Sequence, residues 1–358
     1  MSPLEALIRA RIDTEGPLPV DVYMEMALAH PEHGYYRKRD PLGAAGDFVT
    51  APEIGQVFGE LIGLWAGVVW QQMGSPGRLV LAECGPGRGT LMADALRAAE
   101  KVTGFLDAAE VHLVETSPTL RDCQRETLAG RALAWHDDAS DLPDAPLILI
   151  ANEFLDALPV RQLVRTETGW RERCVGIDVD GLAFVAGPAA PDAADLLPPD
   201  LVRTPPGTVF EFSPDTLSFA GSVAARLAAD GGAALFVDYG HAQSAAGDTL
   251  QAVRKHAYAD PLCDPGDADL TAHVDFGALG RRMTAGGART HGPVSQRQFL
   301  ISLGILQRTD QLTRNATPDA AQTVFAATKR LIDPDEMGNL FKVLAATGPG
   351  AAPPPAFQ

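Results

Sequence analysis

No apolar run in this 358-residue sequence approaches the length of a membrane-spanning helix, so a transmembrane reading is excluded at the outset. Cysteine is scarce and scattered. The 4 thiols, Cys84, Cys123, Cys174 and Cys263, form neither a metal-spacing cluster nor a disulfide framework, and reduced thiols in a cytoplasmic protein are expected. Positive charge is also short. Against 46 acids there are only 29 Lys plus Arg, a formal net charge of -17, which argues against a general binder of nucleic acid or anionic membrane. The N-terminus lacks a basic cluster ahead of an apolar stretch, so no signal peptide is expected. The 35 glycines and 28 prolines follow no period, which excludes collagen-like and low-complexity chains. What is present is a 46% hydrophobic fraction, enough for a sizeable core in one large or two moderate domains.

The most informative stretch is Leu79-Val80-Leu81-Ala82-Glu83-Cys84-Gly85-Pro86-Gly87-Arg88-Gly89-Thr90. An apolar run ending in an acid, then three alternate glycines before helix-forming residues, reads as a buried parallel strand, a tight turn and a helix start. Open α/β sheets bind ligands at such a turn. The spacing is G-x-G-x-G rather than the dinucleotide G-x-G-x-x-G, and no G-K-[ST] follows. Glu83 would repel a pyrophosphate but suits a positive amino group or ribose hydroxyls. A turn of purely structural use remains the competing reading.

Further polar residues fall at strand ends. Val111–Val114 ends in Glu115, one βαβ unit on, placed to accept from ribose hydroxyls. An NAD enzyme uses such an acid too, so Glu115 indicates a ribose rather than one cofactor. Trp135-His136-Asp137 marks a third strand and loop, where His136 or Asp137 would approach an adenine or simply serve the loop. Arg121 and Arg125 read as solvated charge. The fourth strand, Leu147–Ala151, runs into Asn152-Glu153-Phe154-Leu155-Asp156. For a guanidinium acceptor, a carboxylate pair there would orient the planar group and disperse its charge, whereas an oxygen or carbon acceptor would call for a general base such as histidine or lysine near this strand. The bland alternative is that Asn152 and Asp156 cap the next helix.

The remainder supplies setting. Helices are expected near 4–12 and 20–29, and Gly43–Glu53 forms a glycine-rich loop with Phe48, near Tyr35 and Tyr36, that reads as a lid or pocket wall or as rings packed on a neighbouring helix. Glu53–Met73 reads as one long helix with glycines at 55, 59, 63 and 67, implying close approach of another backbone or a homodimer contact. Short β-prone pieces over 160–185, broken by Thr168-Gly169 and Asp180-Gly181, predict an antiparallel meander. The histidines and acids of 256–275 show no metal-ligand spacing, so no metal is expected.

Glu83–Leu91, Gly46–Glu53, Asn152–Val160, Leu235–His241, Asp269–Phe276 and Gly292–Gln296 together resemble the MidA-like family, over about Leu4 to Ala345. Its mitochondrial members assist assembly of respiratory complex I. The resemblance implies an α/β, Rossmann-like class I fold dependent on S-adenosyl-L-methionine (SAM), with a mostly parallel seven-stranded sheet, an N-terminal helical extension and inserted antiparallel and helical segments. The expected division is 1–75 as extension and cofactor-covering loop, 76–345 as core with insertions near 160–213 and 241–320, and 346–358 as a flexible tail. The implied activity is methylation of an accessible arginine on a protein substrate, such as a complex I subunit; the alternatives are methylation of a small molecule, or a SAM-binding assembly factor with little catalysis. Glu83, Gly85 and Gly87 would hold the methionine end of SAM and Glu115 its ribose, with Gly46, Asp47 and Thr50 closing over it. Asn152, His136 and Asp137 join that cofactor set, and Glu153 and Asp156 would face the acceptor. With no targeting segment and an acidic composition, a bacterial cytoplasmic relative is expected.

Overall fold

The computed structural model describes residues 1–38, 50–191, 193–199 and 201–358. The chain divides into two compact units: residues 1–48, 156–217 and 243–275 form the first, and 49–155, 218–242 and 276–358 the second.

The second unit is built on seven strands: β1 (Leu79–Cys84), β2 (Ala109–Val114), β3 (Leu133–His136), β4 (Leu147–Asn152), β5 (Gly232–His241), β6 (Arg289–Ser295) and β7 (Phe341–Thr347). Their order across the sheet is β6-β7-β5-β4-β1-β2-β3. The five strands from β5 to β3 are parallel, while β7 runs antiparallel to both β5 and β6. Every residue of β1 and β4 is buried. That is the fate of a continuous apolar run covered on both faces.

One face packs Leu79, Leu81, Leu113, Ile148, Ile150 and Val343 under the flanking helices. The other meets Phe219, whose ring stands edge-on to Phe236 of β5 and to Phe154. A central switch in strand order lies between β4 and β1, where the connections leave to opposite sides. The carboxyl ends of those two strands are therefore where a ligand crevice opens in such a sheet.

The long helix expected over 53–73 is two helices, α1 (Ala51–Ile54) and α2 (Val57–Gln72), separated at Gly55-Gln56. Gly55 takes an extended backbone there and ends the first helix. The glycine stripe of α2 faces α3 (Thr90–Ala99), the helix that follows the glycine turn. A Cβ at Gly63 would lie 2.2 Å from the Ala95 carbonyl oxygen, and one at Gly59 would lie 2.7 Å from Asp94 Cβ. Bare backbone at these positions lets α2 press on α3, so the stripe serves packing within the chain. Glu60 adds an electrostatic tie: buried at 3% exposure, it pairs with Arg97 of α3 at 3.1 Å and with Arg308 at 2.7 Å. Burial pushes its pKa up, but the hydrogen bonds from Arg308 and Arg97 outweigh that and hold it low. Gly63→Ala is expected to destabilise the protein by about 2 kcal/mol through overpacking, read by urea denaturation.

The stretch expected to be one excursion over 241–320 contains core strand β6. Gly292 and Pro293 sit within that strand, at a register shift between His291 and Val294, and Ser295 at its end caps the helix Gln296–Ser302. The C-terminal tail packs back rather than fraying: Trp65 Nε1 donates to the Pro355 carbonyl, and the Phe357 ring lies tilted against Phe299.

In the first unit, the helix Pro3–Glu15 turns Leu4, Ile8 and Ile12 inward at a spacing of one helical face, against Tyr23, Met24, Val175 and Leu270. The expected meander is present as strands Arg161–Thr166, Gly169–Asp178 and Gly181–Ala189, joined by Val209–Phe212 and Leu18–Pro19. Glu211, buried on Val209–Phe212, accepts from Gln162 and from Thr249, closing that sheet over the 243–250 segment.

Candidate active site

The turn after β1 has the backbone its glycines announce. Gly85, Gly87 and Gly89 take φ values of 64°, 54° and 83°, in the left-handed region that other residues enter at a cost. A Cβ on Gly85 would also meet Phe154 Cδ2 at 2.9 Å. Gly85→Ala is therefore expected to cost about 1–2 kcal/mol of stability and to displace the turn, seen as a lowered melting temperature.

Glu83 is 3% exposed, and burial lifts its pKa to about 8 despite a hydrogen bond from the Met92 amide of α3. Among the described residues its Oε2 has no hydrogen-bond partner, and neither does Oδ1 of Asn152, also buried. Glu83 pairs with Ile150 in the parallel register of β1 and β4. Asn152 lies two residues beyond Ile150, so the two side chains share a face. Two orphaned acceptors at adjacent strand ends call for a donor, and an ammonium group satisfies both while a pyrophosphate satisfies neither.

On β2 the next acid is equally organised. Glu115, buried at 9% exposure, accepts from the Ser117 amide at 2.7 Å and from Gln124 Nε2 at 3.3 Å. Gln124 also donates to the Gly87 carbonyl at 2.7 Å and accepts from Trp135 Nε1 at 2.8 Å. It thus ties the glycine turn to Glu115. Nothing in its local sequence marks it, because an isolated glutamine on helix Pro118–Thr127 reads as surface; only its zero exposure reveals it.

Arg121 is not solvated charge. Its guanidinium spans the ends of β2 and β3, donating to the carbonyls of Glu115 (2.7 Å) and His136 (3.0 Å) and to the Asp137 carboxylate (2.7 Å). The His136 ring turns to His112, with 2.8 Å between ring nitrogens. Both side chains read as adenine neighbours are thus engaged with protein groups at this strand end.

Glu153 carries the clearest strain. It holds φ 49°, a left-handed conformation at a residue with a long side chain. Its Oε1 accepts from the Ala51 amide at 2.8 Å and from Asn152 Nδ2 at 3.2 Å. The second bond fixes the Asn152 amide with its carbonyl oxygen turned away, which is the orphaned acceptor. Behind this bend, Asp238 at the end of β5 accepts from the amides of Leu155 and Tyr239. Thr50 caps α1 with an extended backbone, and Gly46 and Asp47 lie outside the described residues.

Asp156 belongs to the first unit and is 6% exposed; its carbonyl accepts from the Ala272 amide. Within that unit Tyr36 donates to Asp269 Oδ1 at 2.8 Å. Burial, then the carboxylates of Asp269 and Asp156, push the Tyr36 phenol well above its ordinary pKa. Among the described residues no group of three or more His, Cys, Asp or Glu side chains is arranged to hold a metal, and no helix is long and apolar enough to cross a membrane.

A sheet in this order, with an acid and a glycine turn at the end of one strand and a second acid at the end of the next, defines a class I methyltransferase that uses SAM. The chain belongs to the family described as "Putative S-adenosyl-L-methionine-dependent methyltransferase", which matches residues 61–294. Among its curated relatives, the "Protein arginine methyltransferase NDUFAF7 homolog, mitochondrial" of Drosophila melanogaster is 38% identical over 94% of this chain and 83% of its own. The mitochondrial protein arginine methyltransferase NDUFAF7 of Mus musculus is 38% identical over 96% of this chain and 84% of its own. A crystal structure of a "likely methyl transferase" from Burkholderia thailandensis bound to S-adenosyl-homocysteine superposes with a TM-score of 0.84 at 32% identity, covering 99% of this chain and 93% of that one. SAM is accordingly the cofactor, and the orphaned acceptors Glu83 Oε2 and Asn152 Oδ1 fit its amino group.

These relatives overturn one expectation. A bacterial cytoplasmic location does not stand, because the curated relatives from fly, frog, fish and mammals are named as mitochondrial. Acidic composition governs solubility and encounter rather than compartment, so it had no power to decide the question.

Proposed function

We propose that this chain transfers a methyl group from SAM to a guanidinium nitrogen of an arginine on a protein substrate. The observation that carries the reading is Glu153, a carboxylate held in a strained backbone conformation at the end of β4 beside the orphaned acceptors of the cofactor turn. Strain of this kind persists where the surroundings over-determine it, and it clusters at functional sites. The names of the curated relatives support the acceptor class.

When bound, SAM supplies an electrophilic methyl on a sulfonium sulfur; the rest is positioning by the chain. Glu83 and Asn152 accept hydrogen bonds from the amino group, and Glu115 accepts from the ribose. Thr50 contributes from the start of α1, with Gly46 and Asp47 beside it in sequence, and the His136-Asp137 strand end flanks the base. The Glu153 carboxylate orients the planar guanidinium, whose positive charge it matches. The nitrogen that gains the methyl must lose a proton, and Glu153 is the acceptor for that proton.

The test is transfer of isotope-labelled methyl from SAM to mitochondrial extract proteins, complex I subunits first, followed by acid hydrolysis. Label in methylarginine supports the reading. Label confined to small molecules, or none, overturns it.

A further inference from the structure

Two hydrogen bonds of α1 (Ala51–Ile54) have no part in the activity described so far. At one end of this short helix the Ala51 amide meets Glu153 Oε1 at 2.8 Å. From its middle, Glu53 Oε1 accepts from the Thr90 hydroxyl at 2.5 Å. Thr90 is the first residue of α3 and directly follows Gly89, the last glycine of the turn. Gly89 sits as N-cap with φ 83° and no side-chain cap, so the start of α3 lacks the usual local hydroxyl or carboxylate cap. Glu53 supplies from a distant segment an anchor that the turn's own sequence omits.

We infer that Glu53 is a positioning residue: through Thr90 it braces the glycine turn against α1, whose other end is fastened to Glu153 on β4. The brace makes one rigid unit of three pieces that meet only in the fold: the cofactor turn, the strand end carrying Asn152 and Glu153, and α1. A turn with three left-handed glycines is conformationally permissive, and bracing it before ligand arrives lowers the ordering cost of binding. Glu53 acts through Thr90. The inference rests on reading Gly85–Gly89 as the cofactor turn.

The test is calorimetric titration of S-adenosylhomocysteine into Glu53→Ala, Thr90→Val and their double variant, with amide hydrogen exchange of the ligand-free proteins. Each single variant is expected to weaken affinity about tenfold, and the double variant by about the same factor, since one bond is removed in all three. Exchange should quicken at Thr90–Ala93 while β7 stays protected, a change that general loss of stability would not confine to α3. Thr90→Ser retains the hydroxyl and should restore affinity to within about twofold of the wild type. Unchanged affinity in both single variants, or a double variant weakened by the product of the two, overturns the brace. Glu83→Gln in the same titrations separates the two ideas. If it loses affinity while the Glu53 and Thr90 variants do not, the brace alone fails; if it too binds normally, the turn is not the cofactor site and both fail.

Discussion

Glu153→Gln is expected to lower kcat by roughly 10²- to 10³-fold while leaving affinity for S-adenosylhomocysteine within about twofold. The asymmetry follows from what each part of the side chain does. Glutamine keeps an oxygen at Oε1, so the hydrogen bonds from the Ala51 amide and Asn152 Nδ2 survive and the Asn152 carbonyl stays aimed as it was. What disappears is the charge that orients the guanidinium and takes its proton. Glu153→Ala removes both functions and is expected to weaken cofactor affinity as well. Steady-state kinetics on a labelled arginine acceptor, paired with calorimetry, distinguishes the two variants. Equal turnover in wild type and Glu153→Gln would remove Glu153 from the chemistry and leave it a structural role only.

The second large effect concerns Glu83. Glu83→Gln is expected to weaken cofactor affinity about 100-fold, since a charge-assisted hydrogen bond to an ammonium becomes a neutral one in a buried site. The same substitution should change the stability of the ligand-free protein in a pH-dependent way. Burial raises the Glu83 pKa from its ordinary value of 4.5 to about 8 in the fold. Between those values the native state retains a proton that the unfolded chain has released, so stability falls as pH rises from 4.5 towards 8. Glutamine cannot titrate. The variant should therefore lack this contribution, and its advantage over wild type should grow across the window to a few kcal/mol. Urea denaturation at about pH 5 and about pH 8, towards the two ends of the window, measures it. Ligand binding should also release a proton near neutral pH, because an ammonium beside Glu83 favours the carboxylate.

The sequence was most legible where backbone chemistry is local. Leu79–Cys84 and Leu147–Asn152 are buried on both faces, as their unbroken apolar runs require, and the three glycines of the turn occupy left-handed positions that only their lack of a Cβ makes cheap. The strand-end acids Glu83 and Glu115 were readable for the same reason. A carboxylate at the end of an apolar strand is out of place unless something meets it.

Legibility fails where meaning is assigned by a distant partner. Gly55 looked like one of four helical glycines, yet it alone breaks the helix, and the α1 it creates matters through Glu153 and Thr90. Gln124 and Arg121 look like ordinary helix surface. Their roles appear only when α4, the helix Pro118–Thr127, is laid across the ends of β2 and β3. Strand β6 was hidden because Gly292 and Pro293 interrupt its alternation, and its place is secured by pairing with β7 rather than by its own propensity.

A crystal structure of the protein with S-adenosylhomocysteine tests the site most directly. The ligand's amino group is expected within hydrogen-bonding distance of Glu83 Oε2 and Asn152 Oδ1, two buried acceptors without partners among the described residues, and its ribose hydroxyls on Glu115. An amino group held elsewhere, with those two oxygens still unpartnered, would contradict that placement and with it the assignment of the turn.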